Sequence, residues 1–153
     1  MIPKIREFYD KTIIAAGAIS NGQAIRASQV LGADYAYMGT RFIATKECGA
    51  SVEYKQMIVN EKDGPAPFRL PVLLTNKLSG IHANFLRKSI ESNNIDLDKL
   101  ENPNLDFSKL DLKNSKAWKD IWSAGHGVLT IHDIPSVKDL VDKLVAEYEQ
   151  CKQ

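Results

Sequence analysis

The chain is poor in cysteine, poor in aromatic residues and nearly neutral. Its two cysteines, Cys48 and Cys151, lie far apart and form no metal-type pair. Such usage is that of a reduced, cytoplasmic protein. Cys48 reads as a small buried side chain rather than a redox-sensitive thiol. A net charge of +1 offers nothing to nucleic acid or to an acidic surface, so neither is expected as a partner. No apolar run approaches the ~20 residues of a membrane span. Met1 to Asp10 lacks the apolar core of a secretory signal. Asp96, Asp98, Asp106 and Asp111 lack EF-hand spacing, which argues against a metal site. The Leu-Asp recurrences between Ser92 and Asn114 are too short and uneven for a structural repeat. What remains is ordinary for a globular chain: 153 residues, 44% hydrophobic and 25% charged, enough for one domain core.

What is present centres on Thr12 to Phe42, TIIAAGAISNGQAIRASQVLGADYAYMGTRF. Ile13 to Ala16 is an apolar run without alternation, the pattern of a strand buried on both faces of a parallel sheet. Gly17 ends it. Ser20 and Gln23 have capping-box spacing, which predicts a helix from Asn21, with Ala24, Ile25, Ala27 and Leu31 on its apolar face. Gly32 stands where that helix stops. Ala33 to Met38 is the next apolar run, closed by Gly39-Thr40. A right-handed crossover makes the two strands parallel, so both glycine turns open at the same, carboxyl end of the sheet. N–H groups at Gly17–Ala18 and Gly39–Thr40, with the Thr40 hydroxyl, would form an anion cradle there. Two glycines alone are better explained by tight turns.

The flanking chain is read more coarsely. Ile2 to Tyr9 predicts a helix with Ile5 and Phe8 inward. Arg41 is placed either to touch the anion or to make a salt bridge at the rim. Glu47 to Asn60 predicts a helix with Tyr54, Met57 and Ile58 on one side, and Lys55 reads as a surface lysine. Asp63 to Pro67 reads as a turn or linker. Phe68 to Thr75 reads as a strand whose Pro71 suits an edge or a strand start. His82 to Ser92 predicts a helix with Phe85, Leu86 and Ile90 as its apolar face. Ser92 to Asn114 reads as a long, partly ordered excursion, and Ser115 to Trp122 as a short helix. Val128 to Ile131 is a short apolar segment. Pro135, Ser136 and Asp139 mark the start of an amphipathic helix carrying Leu140, Val141, Leu144, Val145 and Tyr148.

The segments AAGAISNGQAI and LGADYAYMGTRFIAT resemble the phosphate-binding signature of the nitronate monooxygenase (2-nitropropane dioxygenase) family. The likeness continues through ECGASVEYKQMIV, LTNKLSGIHANFLRKSIE and the closing KAWKDIWSAGHGVLTIHDIPSVKDLVDKLVAEYE. It implies an α/β fold: the carboxyl-terminal half of a (β/α)8 TIM barrel, with part of a small α/β or helical lobe. Barrel-derived units would occupy residues 1–62 and 115–153, and the lobe 63–114. The implied cofactor is FMN, its phosphate held by Gly17, Ala18, Tyr37, Met38, Gly39 and Thr40. Gly125 and His126 of the SAGHG turn are secondary candidates, His126 standing where the family has glutamine. The implied activity is oxidation of alkyl nitronates with molecular oxygen. A flavin-dependent enoyl reductase branch shares the phosphate segment.

The resemblance also marks departures. Ala18 replaces the second glycine of the family's AAGGI. No AGGH, the motif of the family's histidine base, occurs, and His82, His126 and His132 sit in other contexts, so no catalytic residue is assigned. Family members run to about twice this length, as a barrel of ~250 residues requires. The expected partner is therefore a complementing amino-terminal half or a second copy. A non-catalytic half-barrel and a flavin-free phosphate-binding module stand as alternatives.

Overall fold

A computed structural model describes residues 1–61, 70–101 and 116–152. These form two compact units: Met1–Asn60 with Gly127–Gln153, and Glu61–His126. The fold is α/β. No helix among the described residues is long and apolar enough to cross a membrane.

The first unit is built on β1 (Ile14–Ala16) and β2 (Tyr35–Tyr37), which pair in parallel with Ile14 opposite Tyr35 and Ala16 opposite Tyr37. The expected burial of both sheet faces is not found. Ile13 and Ala15 are buried with Ala33 against Ile2, Ile5 and Ile19, but Ile14, Tyr35 and Tyr37 are 60%, 65% and 67% exposed on the other face. A continuous apolar run cannot say whether a second layer exists, and among the described residues nothing covers that face.

Helix α1 (Ile2–Arg6) ends a turn earlier than predicted, and Phe8 lies 77% exposed rather than inward. Arg6 turns back to donate to the carbonyls of Gly32 (2.6 and 3.0 Å) and Lys11 (2.8 Å), carrying the chain toward β1 before Phe8 can pack.

Helix α2 (Gly22–Val30) is capped by Asn21, whose side chain accepts from the Ala24 N–H at 2.8 Å; Ser20 is not the cap. Gly32, at φ +106°, ends the helix as expected. Its N–H reaches Gln29 O and that of Ala33 reaches Ser28 O, closing the two bonds of a Schellman motif. The buried face is Gly22 and Ser28, whereas Ala27 and Leu31 are exposed. Gly22 is buried by the crossing of α7 (Val137–Gln150): a Cβ on Gly22 would lie 2.4 Å from Glu147 Cβ and from Tyr148 N. The missing side chain lets the two helix backbones approach at that point.

Helix α7 starts as predicted, with Ser136 accepting from the Asp139 N–H at 3.1 Å. Leu140 and Leu144 are buried, but Val141 and Val145 are 43% and 54% exposed. The latter pair helps to line an apolar cavity of about 330 Å³ with Ile25, Met38, Phe42, Leu144 and Tyr148. Between the sheet and α7 in sequence lie α3 (Thr40–Ile43) and α4 (Val52–Val59), the latter capped by Ser51 and shorter than expected at its start.

In the second unit, β3 (Val72–Thr75) and β4 (Ala83–Leu86) are antiparallel, Val72 opposite Leu86. Pro71 precedes β3 and is buried, as suits a strand start. Residues 82–92 were predicted as one helix. The first part is instead β4, and only α5 (Arg87–Ser92) is helical. Tertiary pairing overrides the helical pattern: Leu86 N–H donates to Trp122 O at 2.9 Å, and Phe85 bridges Ser123. Helix α6 (Leu97–Glu101) orders part of the polar excursion; residues 102–114 and the Asp63–Pro67 linker lie outside the described residues. Phe85, Ile90, Ile95, Leu97, Leu100 and Ile121 form the core. Residues 116–122 are not helical. They make a turn in which Asp120 accepts from the Lys116 N–H at 2.8 Å and Trp118 takes φ +64°. Trp122 N–H is held by Ser89 Oγ at 2.8 Å, which draws the segment toward β4.

Candidate functional site

Parallel pairing puts the ends of β1 and β2 side by side, so Gly17–Ala18 and Met38–Gly39 emerge at one end of the sheet. Gly17 takes φ +104° and Ala18 φ +55°, a left-handed pair that turns successive N–H groups toward one side. The Ala18 and Gly39 N–H groups find no acceptor among the described residues, while the Gly17 N–H stands at the end of the β1–β2 ladder beside Tyr37. A Cβ built on Gly17 or Gly39 would meet nothing within 4 Å. Amides without an acceptor, beside turns with open space, fit an anionic group. Thr40 makes interactions of its own at the start of α3. Tyr37 projects from the exposed sheet face, while Met38 turns to the apolar cavity on the helical side.

The amino end of α2 is already satisfied. Glu147 accepts from the Gly22 N–H at 2.7 Å, and Asn21 accepts from Ala24. Its first N–H groups are thus committed to side chains of the chain itself.

Arg41 does not reach for the turns. Its guanidinium is 3% exposed and pairs with Asp133 Oδ1 at 2.6 Å, also donating to Asp133 O (3.2 Å) and Ala44 O (3.3 Å). Of the two sequence alternatives, the salt bridge is the one formed. Burial pushes the Arg41 pKa down and the Asp133 charge opposes this, but a guanidinium keeps its proton.

Lys55 is buried rather than on the surface. Its ammonium donates to Cys48 O at 2.7 Å and Lys46 O at 3.3 Å, pinning the loop after α3. Glu47 accepts from the Val137 N–H with both oxygens at 2.9 Å. Sequence reasoning missed Ser20, Glu47, Lys55 and Asp133 as organising residues. Only Ser20 carried a signal: two cap-forming residues stand in succession, Ser20 and Asn21, and one helix end uses one.

Gly127 packs on the first turn, since a Cβ there would lie 3.0 Å from Ser20 Oγ and 3.1 Å from the Ala18 carbonyl carbon. Gly125 and His126 belong to the second unit. His126 is exposed and lines a cavity of about 430 Å³ there, with Val72, Leu73, Arg87 and Glu101 among its walls.

The model of the nitronate monooxygenase family matches residues 1–147. The chain belongs to the nitronate monooxygenase family. A "probable nitronate monooxygenase" of Staphylococcus haemolyticus is 40% identical over 63 residues, 41% of this chain and 18% of that protein. One from Staphylococcus saprophyticus is 34% identical over 80 residues, 52% of this chain and 21% of that protein. Among solved structures, FabK from Thermotoga maritima is similar with TM-score 0.70 and 26% identity, over 99% of this chain and 48% of that one. A nitroalkane oxidase from Streptomyces ansochromogenes is similar with TM-score 0.68 and 27% identity, over 99% of this chain and 43% of that one. The chain thus spans less than half the length of these solved family-like structures.

Proposed function

We propose that this chain holds the phosphate of FMN as part of a nitronate monooxygenase-type oxidoreductase. The supporting observation is the pair of turns at one end of β1 and β2, with the Ala18 and Gly39 amides lacking an acceptor among the described residues. Tyr37, Met38 and Thr40 complete the proposed contact set. These are mostly backbone donors, so Ala18 can serve where the family has glycine. FMN, when bound, would supply the redox chemistry for an alkyl nitronate and oxygen. The chain's own part is to fix the phosphoryl end and thereby orient the cofactor.

The remainder of the proposal concerns architecture. The first unit corresponds to barrel-derived βα units, and the second to a small lobe. The exposed Ile14, Tyr35 and Tyr37 would then face the barrel interior, covered by further parallel strands from a complementing amino-terminal half or a second copy. No AGGH histidine is present, so turnover by these residues alone is not expected.

Titration of the protein with FMN, followed by quenching of flavin fluorescence, tests the reading. FMN should bind more tightly than riboflavin, which lacks the phosphate. Gly39→Asp places a carboxylate in open space at the cradle and should abolish that preference. Equal affinity for the two flavins in the unsubstituted protein would refute phosphate binding. Separate assays for nitronate oxidation and enoyl reduction on the complemented enzyme would distinguish the two flavin activities.

A further inference from the structure

The two turns of the proposed phosphate site are both tied to the same stretch of chain, residues 127–137. At its start, Ser20 Oγ donates to Gly127 O at 3.2 Å and lies 2.5 Å from the Thr130 hydroxyl, which itself donates to Gly127 O at 3.0 Å. Gly127 is also packed against Ala18, with no room for a side chain unless the neighbours give way. At its far end, Asp133 pairs with the buried Arg41, one residue beyond the second turn. Lys46 N–H donates to Pro135 O at 2.9 Å, and Glu47 accepts from the Val137 N–H. Asp133 also reaches Lys143 at 3.3 Å, which anchors the stretch to α7.

We infer that residues 127–137 act as a brace that sets the spacing of the two anion-binding turns, with Ser20 and Arg41 as positioning residues at its two ends. Neither side chain needs to touch the ligand. Ser20 holds the Gly17–Ala18 turn through Gly127, and Arg41 holds the Gly39 turn through Asp133. A phosphoryl group that takes donors from two separate loops binds well only if their separation is right, because each donor is directional. Nearly all the contacts of Ser20 and Arg41 run to the brace, and both residues are buried, 6% and 3% exposed. This inference rests on the phosphate-site reading above.

The test uses the full chain with Ser20→Ala, Arg41→Met and the double variant. Affinities for FMN and for riboflavin are measured on each, beside thermal stability. A general loss of stability lowers both affinities alike, whereas a displaced turn lowers only the phosphate-dependent part. The FMN-over-riboflavin preference should fall on the order of tenfold in each single variant, the equivalent of one charge-assisted hydrogen bond. The double variant should lose little more, since releasing either end already frees the spacing. A preference unchanged in Ser20→Ala and Arg41→Met, when the parent protein shows one, overturns the brace and leaves the phosphate site standing. No preference in the parent protein overturns both. Should Arg41→Met fail to fold, Ser20→Ala decides alone, because it removes one hydroxyl and leaves the ion pair intact.

Discussion

The crossing of α2 and α7 at Gly22 should be intolerant of a single added methyl group. Gly22→Ala would bring a Cβ to 2.4 Å from Tyr148 N, 2.4 Å from Glu147 Cβ and 2.6 Å from Leu144 O. Two of these three atoms are helix backbone, so rotating a side chain cannot relieve the clash. The helices must part, and the Gly22 N–H to Glu147 bond of 2.7 Å is strained as they do. Overpacking of this kind typically costs about 1–3 kcal/mol and sometimes more, to which a weakened charge-assisted hydrogen bond adds about 1 kcal/mol. Against this, alanine is favoured over glycine in a helix by up to about 1 kcal/mol. The net expectation is a destabilisation of about 1–3 kcal/mol, which for a chain of this size lowers the melting temperature by roughly 2–12 °C. Far-UV circular dichroism on heating reads it out. Gly49→Ala, where a Cβ meets nothing within 4 Å, is the matched control and should melt with the parent. A Gly22→Ala protein as stable as the parent would refute the close crossing.

Two further outcomes follow from the first unit. Ala18→Gly should be neutral to slightly stabilising, about 0.5 kcal/mol in a denaturant titration. The left-handed conformation costs a non-glycine residue about 1–2 kcal/mol, and glycine's extra unfolded-state freedom returns most of that; a loss above about 1 kcal/mol would contradict the positive φ. Asp34 has its pKa held below the ordinary carboxylate range, first by the Ile13 N–H and then by Arg6. A depressed folded-state pKa contributes stability above the ordinary value, which is lost as the pH falls through the folded one. The melting-temperature gap between the parent and Asp34→Asn should therefore be constant from neutral pH to about 5 and close below about 4; a gap independent of pH down to acid unfolding would disprove the charge effect.

The strand–helix–strand unit was legible because each of its signals is local. Gly32 can take φ +106° where other residues resist it, and apolar runs of four to six residues flank the helix. Parallel pairing then follows from the crossover rule alone. The second unit was harder to read. Phe85 and Leu86 show helical spacing with Ile90, but their partners are Val72, Leu73 and Trp122, supplied by distant chain. A similar limit hid Lys55, since nothing beside it in sequence announces that the Lys46 and Cys48 carbonyls will turn inward to meet it.

Family membership and the glycine turns at the ends of β1 and β2 follow from residue order, since backbone permissiveness and long motifs are properties of neighbouring residues. What Ser20 binds, which arginine is buried and which glycine admits another helix were decided only when the chain closed on itself. Ser20, Arg41 and Gly22 owe their roles to residues about 90 to 125 positions away, in the stretch from Gly127 to Tyr148. Hydrogen bonds and van der Waals contacts act across a few ångströms of space, and sequence separation carries no such distance.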